Sequence, residues 1–405
     1  MSLFVEFHLI QNFAPSNLNR DDTGAPKDAL FGGHRRARVS SQCFKRAIRL
    51  NSAEAATIPE ANQGVRTKKL RAVLLDLVAK SFKAEIDTPS TDEKRRVALR
   101  ARLDSEEKLI DPNCIDRALE AAGLKVKENG KTEYLLFLGN GEIDAFAQLI
   151  DRHWDALTAA PATDAKKTKK EAKASLPAEI VKEAKALLDG KKAVDVALFG
   201  RMLADMPGVN QDAACQVAHA ISTHKVEREF DYFTAVDDKG DVDETGAGMI
   251  GQIEFNSATF YRYAVVDAAK LVDNLHGDKE LALTGIRAFA QAMARAIPTG
   301  KQNTFAAHNP PSFVGVVLRH ASPFNLANAF EKPIWPKADA ELTALSVEKL
   351  AAHDAKISAF YSDGKDEWAY LDMTGAWPGD KGAAQANLDA LAQWLEDKVR
   401  AELED

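Results

Sequence analysis

Between residues 31 and 49 the chain reads FGGHRRARVSSQCFKRAIR, a combination of residue types that suits phosphate. Arg35, Arg36, Arg38, Lys45, Arg46 and Arg49 crowd together, and no carboxylate occurs between Asp28 and Glu54. Gly32 and Gly33 allow close approach of the backbone, free amides at a helix N-terminus point at an anion, hydroxyls donate, and guanidinium groups pair with oxygens. Together these suggest contact with several successive phosphates. A Walker loop needs GxxxxGK[ST] and a dinucleotide fold GxGxxG, and neither is present here. A run of Arg and Lys on a helix is most often a solvated face. The missing acidic partners and the junction with Gly-Gly and Ser-Ser-Gln count against that reading.

Other residues could support catalysis. His8, His34 and His308 could converge with Tyr261 to move protons in a metal-free RNA cleavage, although nothing in their spacing demands it. Asp231, Asp237 and Asp238 could cut or hold metal, against the simpler reading of a solvated acidic turn. His219 and His224 are five apart, too weak a pair for a metal site without a third ligand. Cys43, Cys114 and Cys215 form no CxxC pair, which argues against a zinc ribbon and a disulfide framework.

The basic run needs elements to hold it. LFVEFHLI, residues 3 to 10, places Leu3, Val5, Phe7 and Leu9 on one face at period two and predicts a strand buried on at least one side. From Ser40 or Ser41, which can cap, Phe44, Ala47 and Ile48 repeat at helical spacing, leaving Lys45, Arg46 and Arg49 in solvent. Residues 55 to 200 read as a helical, charge-laced insertion with a Lys-rich solvated stretch, DAKKTKKEAKAS. FDYFTAV and IGQIEFNSATFYRYAVV predict a long hairpin across the polar DDKGDVDETGAGM. Ala282, Ile286, Phe289, Ala290, Met293 and Ile297 mark an amphipathic helix, and SFVGVVLRH a short buried strand. Strand, helix, two strands, helix, strand is the split βαβ order of ferredoxin-like and RRM folds, an α+β class. An RRM-like core is a second pointer to RNA, because it offers a sheet face and adjoining loops to single strands. The Ala-rich C-terminal part reads as helical, suited to packing or subunit contact.

The 405 residues carry a formal charge of −7, so any polyanion site must be local. The N-terminus has no basic region or small-residue cleavage site, and no apolar run approaches the roughly 18 residues of a membrane span. With the unpaired cysteines, this predicts a soluble cytoplasmic protein without a membrane partner.

APSNLNRDDTGAPKDALFGGHRRARVSSQCFKRAIR, LFGRM, AHAISTHKVEREFDYFTAVDD, GQIEFNSATFYRYAVV and LANAFEK closely resemble the CasC family. These are backbone subunits of the type I-E CRISPR surveillance complex Cascade, within the RAMP superfamily. The resemblance implies an RRM-like palm (1–55 and 251–335), a helical fingers insertion (56–200), a β-hairpin thumb region (201–250) and a C-terminal helical segment (336–405). It implies copies stacked head to tail along one CRISPR RNA, which pairs with target DNA in short segments. The implied partners are CRISPR RNA, target DNA through the guide, further copies of the chain, and the large, small, 5′-handle-binding and guide-processing subunits. It implies no cofactor, metal or catalysis; relatives of the fold that cleave RNA supply the alternative.

By position, the resemblance assigns phosphate contact to Arg20, Lys27, Ser40, Gln42, Lys45 and Arg49, within the basic run that also holds His34, Arg35 and Arg38. Met202, Phe233 and Thr234 become the wedge and thumb residues beside a displaced base. Two departures stand out. Position 34 is usually Lys in the family, and His34 is mostly neutral at pH 7. ADMPGVNQDAACQ, after Met202, matches poorly.

Overall fold

The computed structural model describes residues 3–103, 112–159, 176–190, 192–203, 206–235 and 249–404. The chain forms two compact units, one of residues 1–58, 214–273 and 278–405, the other of residues 59–213 and 274–277.

The first unit opens with β1 (Phe4–Ser16). Val5, Phe7 and Leu9 are buried as their alternation predicts, but Glu6, His8 and Ile10 are equally closed to solvent, so both faces are covered. β2 (Asp28–Phe31) and β3 (His34–Val39) pair as a hairpin. Gly32 and Gly33 turn it with φ of 57° and 77°, the left-handed backbone that a two-residue loop requires. A Cβ on Gly32 would lie 1.8 Å from the Glu331 carbonyl oxygen, so this position excludes any side chain. α1 (Ser41–Glu54) follows, capped by Ser40, with Phe44, Ala47 and Ile48 buried.

The second unit carries β4 (Gly64–Thr67), α2 (Leu70–Asp87), α3 (Glu93–Arg102), α4 (Pro112–Ala121), β5 (Leu136–Gly139), α5 (Asn140–Arg152), α6 (Trp154–Thr158), α7 (Ala178–Ala186) and α8 (Val194–Phe199). The helical expectation for this stretch missed β4 and β5, which pair antiparallel over only four residues each, too short for an alternation to be read. The core packs Leu74, Phe82, Ile115, Phe146, Ile150 and Trp154. Beside it Arg201 is buried and donates from Nη1 to both Glu142 oxygens, at 2.7 and 3.0 Å, and from Nη2 to the Leu188 carbonyl at 3.1 Å. Glu142 also accepts the Gly139 and Gly190 amides, at 2.7 and 2.8 Å. The buried Arg201 charge is therefore paired with a buried carboxylate.

The chain re-enters the first unit with β6 (Cys215–Val217), β7 (Ala220–Ser222), β8 (Glu229–Ala235), β9 (Met249–Asp267), α9 (Ala268–Asn274), α10 (Lys279–Arg295), α11 (Gln302–Phe305) and β10 (Phe313–Arg319). It ends with α12 (Leu342–Tyr361), β11 (Glu367–Asp372), β12 (Ala383–Ala384) and α13 (Leu388–Glu404). The sheet runs β12-β11-β10-β1-β9-β7-β3-β2, with β6 and β8 also on β9. β1 is antiparallel to both β9 and β10, and β9 to both β6 and β7. The last strand of the split βαβ pattern therefore lies beside the first, and the third on its other side.

α1 and α10 pack together, and the Phe7 ring on β1 meets Phe289 of α10 with centroids 5.1 Å apart. The opposite face of β1 and β9, bearing Ile10, Tyr261 and Tyr263, is closed by Val347 and Leu350 of α12 with Trp368 and Trp377. This corrects two expectations. The C-terminal part is not helical throughout, because β11 and β12 extend the sheet at its β10 edge. The central strands also offer no open face of the RRM kind, because the C-terminal segment covers it. Among the described residues no helix is long and apolar enough to cross a membrane.

Candidate nucleic-acid interface

α1 begins where the basic run predicts it. The Ser40 amide donates to Asn19 Oδ1 at 2.8 Å, and its Oγ accepts the Cys43 amide at 3.3 Å, so this buried hydroxyl serves as the helix cap. Lys27 N donates to the Asn19 carbonyl at 2.9 Å, and Arg38 N to the Lys27 carbonyl at 3.0 Å, which ties the upstream loop to β3. Asp21 Oδ1 accepts from Thr23 N, Thr23 Oγ1 and Ala25 N, at 2.9, 2.7 and 3.0 Å, and fixes that loop's turn. The result is a recess of about 510 Å³ whose lining includes Arg20, Asp22, Cys43, Arg46 and Thr299.

Arg20, Arg46 and Gln42 are exposed, and Lys27 is half-buried. Burial pushes the Cys43 thiol up, against the opposing charges of Lys27 and Arg46; Arg46 lines the recess, and Lys27 is tied by its backbone amide to Asn19, another lining residue. Among the described residues no carboxylate forms an ion pair with Arg20, Lys27 or Arg46. Lys45 and Arg49 are half-buried rather than in solvent, and each is engaged by a neighbour.

The remaining cations of the run are held by the protein itself. Arg36 is fully buried and donates to three carbonyl oxygens, those of Ser222 at 2.8 Å, Phe330 at 2.7 Å and Glu331 at 3.1 Å. Counted in sequence among the phosphate-facing cations, it is a structural arginine. Arg35 is exposed and paired with Asp28. Arg38 donates from Nε to the Asp28 carbonyl at 3.1 Å and from Nη1 to His219 Nδ1 at 2.9 Å. Burial lowers the His219 pKa, and Arg38 and Lys27 lower it further, so the ring is neutral and can accept. The His34 ring meets Trp335 edge to face, with centroids 6.1 Å apart.

Phe233 and Thr234 lie on β8, as the hairpin reading requires. Phe233 faces Gly251, and its ring takes the space where a Cβ on that glycine would sit, 2.2 Å from the ring atom Cζ. Thr234 is exposed, as are Phe230 and Tyr232. In the second unit Met202 is 83% exposed, immediately after the buried Arg201. Asp237 and Asp238, the polar hairpin tip and the Lys-rich stretch lie outside the described residues.

Of the candidate catalytic residues, two meet. Tyr261 Oη accepts the Leu326 amide at 3.1 Å and shares a hydrogen bond with His8 Nδ1, 2.9 Å away. His8 Nε2 lies 3.4 Å from Glu6 Oε2, which also accepts from Arg319 Nε at 2.5 Å, while Tyr263 donates to Oε1 at 2.6 Å. Burial raises the Glu6 pKa, but His8, Arg319 and Tyr263 outweigh it and leave the carboxyl below its usual range. Burial pushes both tyrosine hydroxyls up. Glu6 and His8 are fully closed to solvent and Tyr261 nearly so, sealed under α12. His308 is exposed, and His34 sits against Trp335. His224 Nε2 accepts the Thr259 amide at 3.1 Å, and its Nδ1 lies 2.7 Å from the Lys225 carbonyl oxygen. Among the described residues no three His, Cys, Asp or Glu side chains are placed to hold a metal.

Sequence reasoning missed four residues. Thr299 and Gly300 line the recess together with Arg20, and a Cβ on Gly300 would lie 2.3 Å from the Leu18 carbonyl oxygen. The Pro-Thr-Gly turn after the apolar stripe ending at Ile297 was the available signal. Arg201, next to Met202, and Arg228, at the hairpin foot, gave none, because Glu142 and Asp28 lie 59 and 200 residues from them.

The profile of the CT1975-like protein family matches residues 5–394. The chain belongs to that family. Two solved structures extend the family comparison over the whole fold. A chain of a "CRISPR RNA-guided surveillance complex, pre-nicking" is 30% identical, covers 98% of this chain and 99% of its own, and superposes with a TM-score of 0.75. A chain of a "CRISPR RNA-guided surveillance complex" is 24% identical over 98% and 99%, with a TM-score of 0.58, a likeness of fold. No curated protein sequence matches the chain.

Proposed function

We propose that the chain is a non-catalytic backbone subunit of a type I-E Cascade complex, several copies of which polymerise along a CRISPR RNA and present it to target DNA. In this reading the first unit is the RRM-like palm, the second the fingers, and β8–β9 the thumb. The observation that carries it is the gathering of Arg20, Lys27 and Arg46 about the recess at the start of α1, with no carboxylate paired to them among the described residues. Such cations draw a polyanion and fix its register without reading sequence. Likeness to a surveillance-complex chain over 98% of the length supports the CRISPR setting. The buried position of the His8–Tyr261 pair supports a scaffold over an RNA-cleaving enzyme. Antiviral defence in the cytoplasm, and association with the large, small, handle-binding and processing subunits, follow from the reading.

The test combines particle mass with and without guide RNA and incubation of labelled CRISPR RNA with complementary RNA or DNA, with and without Mg²⁺. Guide-dependent growth in steps of one chain, with all strands intact, is expected. Cleavage that disappears on Asp238→Ala or His34→Ala would overturn the scaffold reading in favour of a RAMP endoribonuclease.

A further inference from the structure

Beyond the sheet, among the described residues β8 pairs only with β9, from Glu229↔Phe255 out to Ala235↔Met249. Phe230 and Tyr232 on this ribbon are 60% and 64% exposed. A two-stranded ribbon with no third strand and an exposed face is marginal by itself and free to twist, so its direction must be set at its foot.

Arg228 stands at that foot. It donates from Nη2 to Asp28 Oδ2 at 2.7 Å and from Nη1 to Glu254 Oε2 at 3.0 Å. Asp28 begins β2 and Glu254 lies in β9, so one guanidinium spans the hairpin foot and the start of the basic run. Arg35 pairs with the same Asp28 oxygen, the Val226 amide donates to the Arg35 carbonyl at 3.0 Å, and Asn17 Nδ2 donates to the Glu254 carbonyl at 2.8 Å. Two arginines meet two carboxylates, so the cluster adds no net charge to the phosphate-facing surface. A partly exposed ion pair contributes little stability, but a planar guanidinium held by two acceptors fixes direction.

We propose that Arg228, clamped between Asp28 and Glu254, is a positioning residue that sets the angle of the β8–β9 hairpin and so the place of Phe233 and Thr234 over the RNA. The second half of this statement rests on the proposed function. The first half concerns the free protein.

The test has two readouts on Arg228→Gln and Asp28→Asn. In the free protein, hydrogen–deuterium exchange of amides 229–235 is expected to quicken at least tenfold while β1 is unchanged. On guide RNA carrying 2-aminopurine at successive positions, wild type is expected to give one bright, displaced base per protomer. The variants are expected to halve that signal at least, with guide affinity within threefold. Should Arg228→Gln quicken exchange in β1 as well, the milder Asp28→Asn decides. Wild-type exchange at 229–235 in both variants overturns the clamp, and faster exchange with an unchanged base pattern overturns its positioning role. A wild-type guide with no bright position refutes instead the reading of the hairpin as the displacing element, and the exchange result then stands alone on the clamp.

Discussion

Replacing Arg36 separates structural cations from those that meet RNA. Its guanidinium donates to the Ser222, Phe330 and Glu331 carbonyls and lies 5.6 Å from the Phe31 ring centroid. Hydrogen bonds from a charged donor contribute about 1.5–3 kcal/mol each, and Arg36→Met leaves three acceptors without that partner. Burial without a carboxylate partner opposes this gain and lowers the Arg36 pKa; methionine also refills part of the volume. The expected net loss is about 3–5 kcal/mol. For a unit of this size, at roughly 2–4 °C per kcal/mol, that is a fall of about 10 °C in melting temperature. RNA binding, measured below the melt across a salt series, is expected to keep its slope, because a fully buried guanidinium releases no counterion. Arg46→Ala, at an exposed position lining the recess, is expected to keep the melting temperature and lower the slope by about 0.7, the value for one phosphate contact on a single strand. An Arg36→Met protein that melts like wild type and loses about 0.7 of slope would refute this division of labour.

Phe233→Ala is expected to weaken guide binding by about 1–3 kcal/mol with an unchanged salt slope, because stacking is lost and no charge is removed; titration at two salt concentrations checks it. Gly33→Ala should cost only the strain of a left-handed backbone, about 1–2 kcal/mol, since nothing lies within 4 Å of its Cβ. Gly32→Ala adds a collision with the Glu331 carbonyl and should lower the thermal midpoint further, which a side-by-side melt reads. For Asp28, burial raises the carboxyl pKa, but Arg35 and Arg228 outweigh it and hold it below the usual 3.8. Its contribution is therefore complete above that value and lost as pH falls through the lower folded value. Acid denaturation below about pH 4 should flatten in Asp28→Asn relative to wild type.

Much of the fold was legible in local periodicity. The capped helix at Ser40, the hairpin partners 230–236 and 250–266, and the amphipathic helix before SFVGVVLRH reappear as α1, β8–β9, α10 and β10. Spacing within one element reports which face is buried, because geometry repeats every two or 3.6 residues. The burial of both faces of β1 was illegible, since it depends on α12, more than 300 residues later in the chain.

By itself the sequence determined where positive charge concentrates, that a helix starts at Ser40 or Ser41, and the strand, helix, two strands, helix, strand order of the central elements, because each depends on neighbours along the chain. Only the tertiary structure decided what each cation does. It buries Arg36 among three carbonyls, turns Arg35 and Arg228 onto Asp28, and leaves Arg20, Lys27 and Arg46 about one recess. Charge is a property of the residue, but availability to a phosphate depends on which acceptors the fold brings within about 3 Å of it.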